Sequence, residues 1–400
     1  MKTCKVKIDH LLSITDKQKL WSLSYDQTKI YNAALQYTKE NSFDYKQMHL
    51  VTKDLRNNLE MSSPAKMSQN TVFRLISSWK SFLSLRKTDP NARPPTKFAS
   101  TWDFQPLIFD WNSGLGFKIR DRKLELRADY KSYLSIKLPD YAIKCLEEVD
   151  FIVQEIKISI QDKNFYLSIT LKDLNQVLSF NKDNWLSIDP GLTHIISLVT
   201  SDGIAIKYQN NQFKNLERQV SAIQSKMDKK KKYSKRYNKL RLKFKKKLRS
   251  SSNKNKNFQH CLTADVIHFC KENDIGSIFY GDIQTKKLTK SKTASTGLNK
   301  STQNRGSLNR TKQFLQYKAG LNGIAFSLVN EAFTSKTNCY TGELYGNMNL
   351  GIRSVEIEPG IVIDRDINAA INIARRTLGT WSPQLSWIRD ISMTEKYIVV

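Results

Sequence analysis

Acids in two separate stretches stand out for where they sit. In Leu186-Ser187-Ile188-Asp189-Pro190-Gly191-Leu192-Thr193, an apolar run of strand character enters an aspartate and a Pro-Gly turn. A second apolar run, Ile195-Ile196-Ser197-Leu198-Val199, then leads to Ser201-Asp202-Gly203. The pattern predicts a hairpin with the Asp189 carboxylate at the inner end of its first strand, although Asp before Pro-Gly is also ordinary turn chemistry. Far downstream, Ile367, Ala370, Ile371 and Ala374 fall at helical spacing. Asp364 or Asp366 stands in the first turn of that helix, where a carboxylate complements the dipole or caps the end. Carboxylates drawn from separate elements are what two-metal phosphodiester cleavage needs: one ion activates water and the other, about 4 Å away, stabilises the leaving oxygen. Two acids are too few for such a site, so a third must come from elsewhere in the chain.

Composition says what such a site would act on. The 400 residues carry 65 Lys plus Arg against 37 Asp plus Glu, a formal charge of +28. That excess repels itself unless it faces a polyanion, which makes nucleic acid the first partner implied. The charge is clustered. Lys229 to Lys232, Lys235, Arg236, Lys239, Arg241, Lys243 and Lys245 to Lys247 flank two apolar seams, with Asp228 the single acid among them. A strip neutralising about six to ten phosphates would lose on the order of a thousandfold to a hundred-thousandfold in affinity between 50 and 200 mM salt. Hydrophobic residues at 40% suffice for proper cores and exclude a disordered chain. The sequence has no apolar run of about 18 residues and no secretion signal at its start, so a cytoplasmic protein that avoids membranes is expected. Five scattered cysteines without a Cys-x-x-Cys pair indicate neither disulfides nor structural zinc.

Several elements must position the acids. Lys5 to Ile8 alternates as a strand, and Thr15-Asp16-Lys17-Gln18 reads as a capping box that opens a helix. Two more helices follow, from Tyr45 past Leu59 and through Val72, Leu75, Ile76, Trp79, Phe82 and Leu83, and Pro94-Pro95 ends the run. From about Phe98 to Lys172 the period becomes two, as for an antiparallel barrel or curled sheet that includes the first strand. After the Asp189 hairpin come the basic helix or helical hairpin, a helix marked by Phe258, Leu262, Val266, Ile267 and Phe269, and a buried strand, Ile278-Phe279-Tyr280-Gly281-Asp282. Residues 284–310 form a long polar segment, which at that length is a disordered loop or a lid. A single helix is expected from Phe314 through Leu328.

Ser187 to Thr193, Gln316-Tyr317-Lys318-Ala319, Val329 to Thr337 and Asp364-Arg365-Asp366-Ile367-Asn368-Ala369-Ala370-Ile371-Asn372-Ile373 resemble segments of one family. The family is the RuvC-type, ribonuclease-H-like nucleases, in particular the transposon-encoded TnpB proteins and the related type V CRISPR effectors. The resemblance selects Asp366 over Asp364 as the catalytic carboxylate. It implies a mixed α/β fold: a ribonuclease-H-like RuvC nuclease domain (181–333 and 363–400, with lid 284–310) and a β-barrel wedge domain (1–12 and 96–180). The barrel is split by a helical recognition domain (13–95), and a target-nucleic-acid-binding insert occupies 334–362.

The chain departs from the family twice. The third carboxylate is usually a Glu on the strand where Gly281 stands here. Asp282 is a fallback, but neighbouring strand residues point to opposite faces. Glu331, in Val329-Asn330-Glu331-Ala332-Phe333-Thr334-Ser335-Lys336-Thr337, resembles the placement in members that carry the Glu one element later, since a glycine leaves room for a carboxylate reaching in from next door. The remaining alternative is a metal site that no longer functions. In the insert, Asn338 and Thr341 before Gly342, and Glu356 and Pro359 before Gly360, stand where the family has two zinc-binding Cys-x-x-Cys-Gly knuckles. No zinc is expected there, and Cys339 falls between ligand positions.

The resemblance therefore implies an RNA-guided DNA endonuclease with two Mg²⁺ ions at Asp189, Glu331 and Asp366, a structured guide RNA, and a double-stranded DNA target beside a short motif. Tyr45, Lys66 and Asn70 match motif-reading positions. Lys229, Lys232, Lys235, Arg236 and Arg241 are the expected backbone contacts, and a monomer is the favoured assembly. The alternatives are a nuclease-inactive, RNA-guided DNA-binding repressor and a miniature type V CRISPR effector.

Overall fold

The computed structural model describes residues 2–41, 45–61, 63–110, 116–129, 132–147, 151–173, 183–191, 193–209, 212–283, 308–346, 348, 351–379 and 386–398. They fall into two compact units, Met1–Asn175 and Gln176–Val400.

In the first unit β1 (Lys2–Lys7) is followed by three helices, α1 (Ile14–Glu40), α2 (Tyr45–Asn58) and α3 (Ala65–Arg86). Ser13 caps α1 in a reciprocal capping box with Asp16, so the box opens two residues earlier than Thr15, which lies inside the helix. Next come β2 (Leu107–Asp110), β3 (Phe117–Arg120), β4 (Lys123–Arg127), β5 (Tyr133–Lys137), α4 (Asp140–Leu146), β6 (Phe151–Gln161) and β7 (Asn164–Asp173). β2 and α4 have no counterpart in the sequence pattern, since a four-residue strand after Pro106 shows almost no alternation. The strands form two antiparallel sheets, β1-β7-β6-β2 and β3-β4-β5. The inward residues of both, such as Phe109, Leu124, Ile136, Ile158 and Leu167, share one core. The sheets wrap that core as a barrel does, with no ladder joining them among the described residues. Because β1 pairs with β7, residues 14–86 are an excursion between a strand and its sheet.

The second unit is built on a six-stranded sheet. Its strands are β8 (Trp185–Asp189), β9 (His194–Thr200), β10 (Ile204–Gln209), β11 (Ser277–Gly281), β12 (Ala325–Val329) and β15 (Ser392–Lys396), in the order β12-β11-β8-β9-β10-β15. β8, β9 and β10 run antiparallel, while β11 lies parallel to β8 on its other side and β12 parallel to β11. This is the ribonuclease-H-like arrangement.

Helix α5 (Gln212–Asp228) packs on α6 (Lys235–Glu272) as a hairpin. The helix expected around Phe258 to Phe269 is not separate but the buried second half of α6. Its side chains Phe258, Leu262 and Val266 pack with Leu315 and Ala319 of α7 (Leu308–Leu321) on one face of the sheet. The expected helix from Phe314 to Leu328 is thus cut at Leu321, where Gly323 (φ +72°) turns the chain into β12. Within the expected lid, 308–310 belong to α7 and 284–307 lie outside the described residues. β13 (Ser354–Glu358) and β14 (Ile361–Asp364) form a hairpin that leads into α8 (Arg365–Leu378) on the sheet's other face. Among the described residues no helix is long and apolar enough to cross a membrane.

Candidate active site

Strand alternation decides which face of the sheet each acid sees. Leu186, Ile188, Ile278 and Tyr280 point into the core with α6 and α7, while Trp185 and Phe279 pack with Ile373 and Ala374 of α8. Asp189 and Gly281 follow the second parity and therefore lie on the α8 side. Tyr280 pairs with Ile188 and Gly281 with Val329, so the three parallel strands end level with one another. Asp189 ends β8, and Glu331 follows β12 by two residues.

Glu331 fills the space that Gly281 leaves. A Cβ built on Gly281 would stand 2.2 Å from Glu331 Oε1 and 2.8 Å from both its Cγ and Cδ. Glycine is needed here for room and not for conformation. The loop that delivers Glu331 is fastened by Arg376 of α8, which donates to the Asn330 carbonyl at 2.5 Å and the Ala332 carbonyl at 2.9 Å. Asn330 also accepts the Ala332 N–H through its side chain at 2.9 Å, closing a tight turn. Asp282 faces elsewhere and pairs with Lys312 at 2.7 Å.

Asp364 and Asp366 divide the roles that the sequence left between them. Asp364 is the N-cap of α8, accepting the N–H of Asp366 at 2.9 Å and of Ile367 at 3.3 Å, and the buried Lys207 ammonium binds it at 2.6 Å. Asp366, in the first turn, meets His194 Nδ1 at 3.4 Å and Arg365 at 3.4 Å. Ser187 donates to the Ala370 carbonyl at 2.6 Å and ties α8 to the strand that carries Asp189.

These surroundings separate the three acids electrostatically. Burial and the Asp366 charge raise the Asp189 carboxyl well above the usual range, with Asp364 adding to the shift and Arg365 opposing it. Burial and the charges of Asp189 and Asp282 push Glu331 up to about 9 against the pull of Lys312, and its Oε1 is buried with no hydrogen-bond partner. For Asp366, burial acts upward but is outweighed by the His194 hydrogen bond, Lys207 and Arg365, so its carboxyl lies below the ordinary value. Two desolvated carboxylates that repel each other beside an orphaned oxygen are a donor set short of a cation. All of these donors are carboxylate oxygens, which suits a hard divalent ion. Among the described residues, no three His, Cys, Asp or Glu side chains converge closely enough to hold a metal as they stand.

The insert keeps its knuckle turns through oxygen acceptors. Asn338 accepts the N–H groups of Tyr340 at 2.8 Å and Thr341 at 3.2 Å, and its amide donates to the Ile357 carbonyl at 3.0 Å, linking the two turns directly. Glu356 accepts the Gly360 N–H at 2.8 Å. Gly342 (φ +84°) and Gly360 (φ +82°) both adopt the left-handed backbone that such turns demand. Cys339 is fully buried, and burial pushes its thiol up to about 12. Asn368 and Asn372, one helical turn apart on α8, bind the segment from Thr334 to Cys339.

Of the expected nucleic-acid contacts, Lys229, Lys232, Lys235, Arg236 and Arg241 are all exposed along the α5–α6 hairpin. Lys66 is partly buried and pairs with Asp110 at 3.4 Å. Asn70 is 7% exposed and donates to the Ile108 carbonyl at 3.3 Å, so its amide fastens α3 to β2. Tyr45 begins α2, and its side chain lies outside the described residues. Sequence reasoning missed His194, Arg365 and Arg376. No local signal marks His194 or Arg376, because each acts on a residue from a different element, whereas Arg365 stands beside Asp366 in the chain and could have been read from that adjacency.

Residues 178–287 match the family model described as probable transposase, and residues 309–373 match the Cas12f1-like TNB domain. No curated protein matches the chain. Among solved structures, a Cas12f1–sgRNA–target DNA complex is similar at a TM-score of 0.63 and 14% identity, over 88% of this chain and 81% of that one. A CRISPR–Cas12f ternary complex (TM-score 0.40, 14% identity, 90% and 81% covered) and the mini-RNA-guided endonuclease Cas_phi3 (0.43, 11%, 68% and 58%) follow at lower similarity. At these identities the likeness concerns the fold. The resemblance to TnpB and its type V relatives is borne out by the two family matches.

Proposed function

We propose that this chain is an RNA-guided DNA endonuclease that hydrolyses phosphodiester bonds at Asp189, Glu331 and Asp366. The observation that carries the reading is the seating of Glu331 in the gap at Gly281, which sets its carboxylate beside Asp189. Asp189, Glu331 and Asp366 would hold two Mg²⁺ ions, whose chemistry is to activate water and stabilise the leaving oxygen. The chain's own residues prepare for this. Burial and mutual repulsion favour the protonated carboxyls of Asp189 and Glu331, so a divalent cation would take the place of their protons and supply the positive charge the pocket lacks. Arg376 fixes the loop of Glu331, and Asp364 with Lys207 fixes the first turn of α8, so the acids are held before any ligand arrives. Arg365 and His194 keep Asp366 ionised. The basic hairpin supplies sequence-independent contacts to RNA and DNA backbones, and pairing with the guide selects the target. Lys66 on α3 and Tyr45 on α2 would belong to the surface that meets the adjacent motif, and the buried Asn70 would position α3 from behind it. The insert at 334–362 would contact target nucleic acid without zinc.

The test is Mg²⁺-dependent cleavage of a target plasmid by protein copurified with its own small RNA, comparing wild type with Glu331→Ala, Asp366→Ala and Asp282→Ala. Loss of cutting in the first two, with guided binding and the Asp282→Ala activity retained, supports the proposal. A second reading, a guided DNA-binding repressor, is favoured by the engagement of Asp366 with His194 and Arg365. Guided binding without cutting by wild type at any Mg²⁺ concentration would establish it.

A further inference from the structure

Away from the carboxylates, within the first unit, a cleft of about 330 Å³ opens between α1, α3 and the segment at 97–105. Hydrogen bonds pin that segment in place. Asn32 donates to the Ala99 carbonyl at 3.0 Å and accepts its N–H at 2.8 Å, and the Gln105 N–H donates to Ser24 at 2.6 Å. The walls combine two cations, Arg74 and Lys97, with two aromatic rings, Tyr31 and Phe98, and with Ser78 and the Asp103 carboxylate.

Arg74 is the informative residue. Its guanidinium is half-buried, yet its one described polar contact is a long bond of 3.4 Å to the Pro106 carbonyl. Among the described residues no carboxylate lies within ion-pair distance of it. A partly desolvated cation with five donors and so few acceptors is costly unless an anion completes it. Burial draws its ionisation below the ordinary arginine value, and the more distant Tyr31 and Glu155 offset this only in part. Phe98 is 45% exposed, and Lys39 sits 3.8 Å above its ring. A cation stacked on an exposed ring gives an electropositive aromatic platform.

We propose that this cleft receives one unpaired nucleotide of a bound strand, its phosphate on Arg74 and Lys97 and its base against Tyr31 and Phe98. Asp103 and Ser78 then offer an acceptor and a hydroxyl to the base edge. The volume suits one nucleotide, and the pairing of a planar fork with aromatic faces is the chemistry that single strands recruit. A pocket for inorganic phosphate would have no use for the rings. The strand is either an RNA or a displaced DNA single strand, which share this chemistry. The inference rests only on the nucleic-acid-binding part of the function proposed above and does not involve the carboxylates.

The experiment uses the full chain stripped of copurified RNA. Short single-stranded RNA and DNA oligonucleotides carrying iodouridine or iododeoxyuridine are bound, irradiated and mapped by mass spectrometry. We expect one of the two strands to crosslink in the peptides that contain Tyr31 or Phe98. That yield should fall about tenfold in Arg74→Gln, in line with loss of charge-assisted bonds, and similarly in Phe98→Ala, where the stacking ring is removed. Phe98 is exposed, so its variant leaves the fold intact should Arg74→Gln disturb it. The RNA or DNA arm that responds identifies the source. Oligonucleotide binding with crosslinks only outside the cleft, or crosslinks there that both variants leave unchanged, overturns the proposal. Failure of wild type to bind either strand would overturn the nucleic-acid reading of the chain as a whole.

Discussion

Gly281→Ala adds one methyl group to the chain and should disable the site. The new Cβ would lie 2.2 Å from Glu331 Oε1, whereas ordinary contact begins at 3.4 Å, so the oxygen must retreat by about 1.2 Å. Rotation of the carboxylate alone does not suffice, because Cγ and Cδ are also only 2.8 Å from the Cβ position. The side chain must swing away as a whole, since its loop is held by Arg376. A misplacement of about 1 Å at a reacting centre costs on the order of a hundredfold in rate. The folding cost should be small, about 1 kcal/mol, because displacing Glu331 also relieves its repulsion with Asp189. Plasmid cleavage, guided binding by gel shift and thermal melting separate these effects. Cutting should fall about a hundredfold while binding and melting stay close to wild type. Activity within threefold of wild type would refute the claim that Glu331 works through the space at Gly281. A constructive counterpart is Gly281→Glu combined with Glu331→Ala, which places the carboxylate back on β11 and should recover part of the lost cutting.

Glu331 also gives the metal-free protein a pH signature. Its folded value is about 9 against 4.5 unfolded, so its contribution to stability is complete below about 4.5 and is lost as pH rises toward 9. Melting temperature should therefore drop over that window without Mg²⁺, and Glu331→Gln should raise it at pH 8 by about 2–4 °C for each kcal/mol relieved. Mg²⁺ binding displaces those protons, so calorimetry in buffers of different ionisation enthalpy should report proton release and an affinity that rises with pH. Replacing Lys229, Lys232, Lys235, Arg236 and Arg241 with Gln should lower the salt dependence of duplex binding by about 0.9 log units for each phosphate that is no longer neutralised. An unchanged slope would remove the hairpin from the interface. Asn338→Ala should destabilise the second unit by about 1–3 kcal/mol in a denaturant melt, through the N–H and C=O groups it leaves unpaired, and added zinc should not restore it.

How much of this was legible in the sequence follows from the range of the interactions involved. The Asp189 hairpin, the first-turn acids of α8 and the basic strip are written locally, in turn chemistry, helical spacing and runs of like charge. The parity argument that turned Asp282 away from Gly281 is equally local, because alternation along a strand needs no partner. What fails at this level is termination and neighbourhood. The apolar spacing from Phe314 to Leu328 suits one helix, but Gly323 and the parallel edge of β11 convert its second half into β12. Only that pairing carries Glu331 to Asp189, since β12 reaches β8 through β11 and no contact within the chain's own segment fixes it. Asn338 as an oxygen substitute for a thiolate is likewise invisible until Ile357 is brought against it. The charge states diverge for the same reason. Three aspartate and glutamate side chains of similar intrinsic acidity become one held ionised and two whose protonated form is favoured, through His194, Arg365 and burial. The sequence by itself determined which acids and which basic strip exist and which face each strand residue takes. The tertiary structure decided which acids meet and in what ionic state, because pairing of distant strands and loss of water are properties of the assembled sheet and not of any stretch of chain.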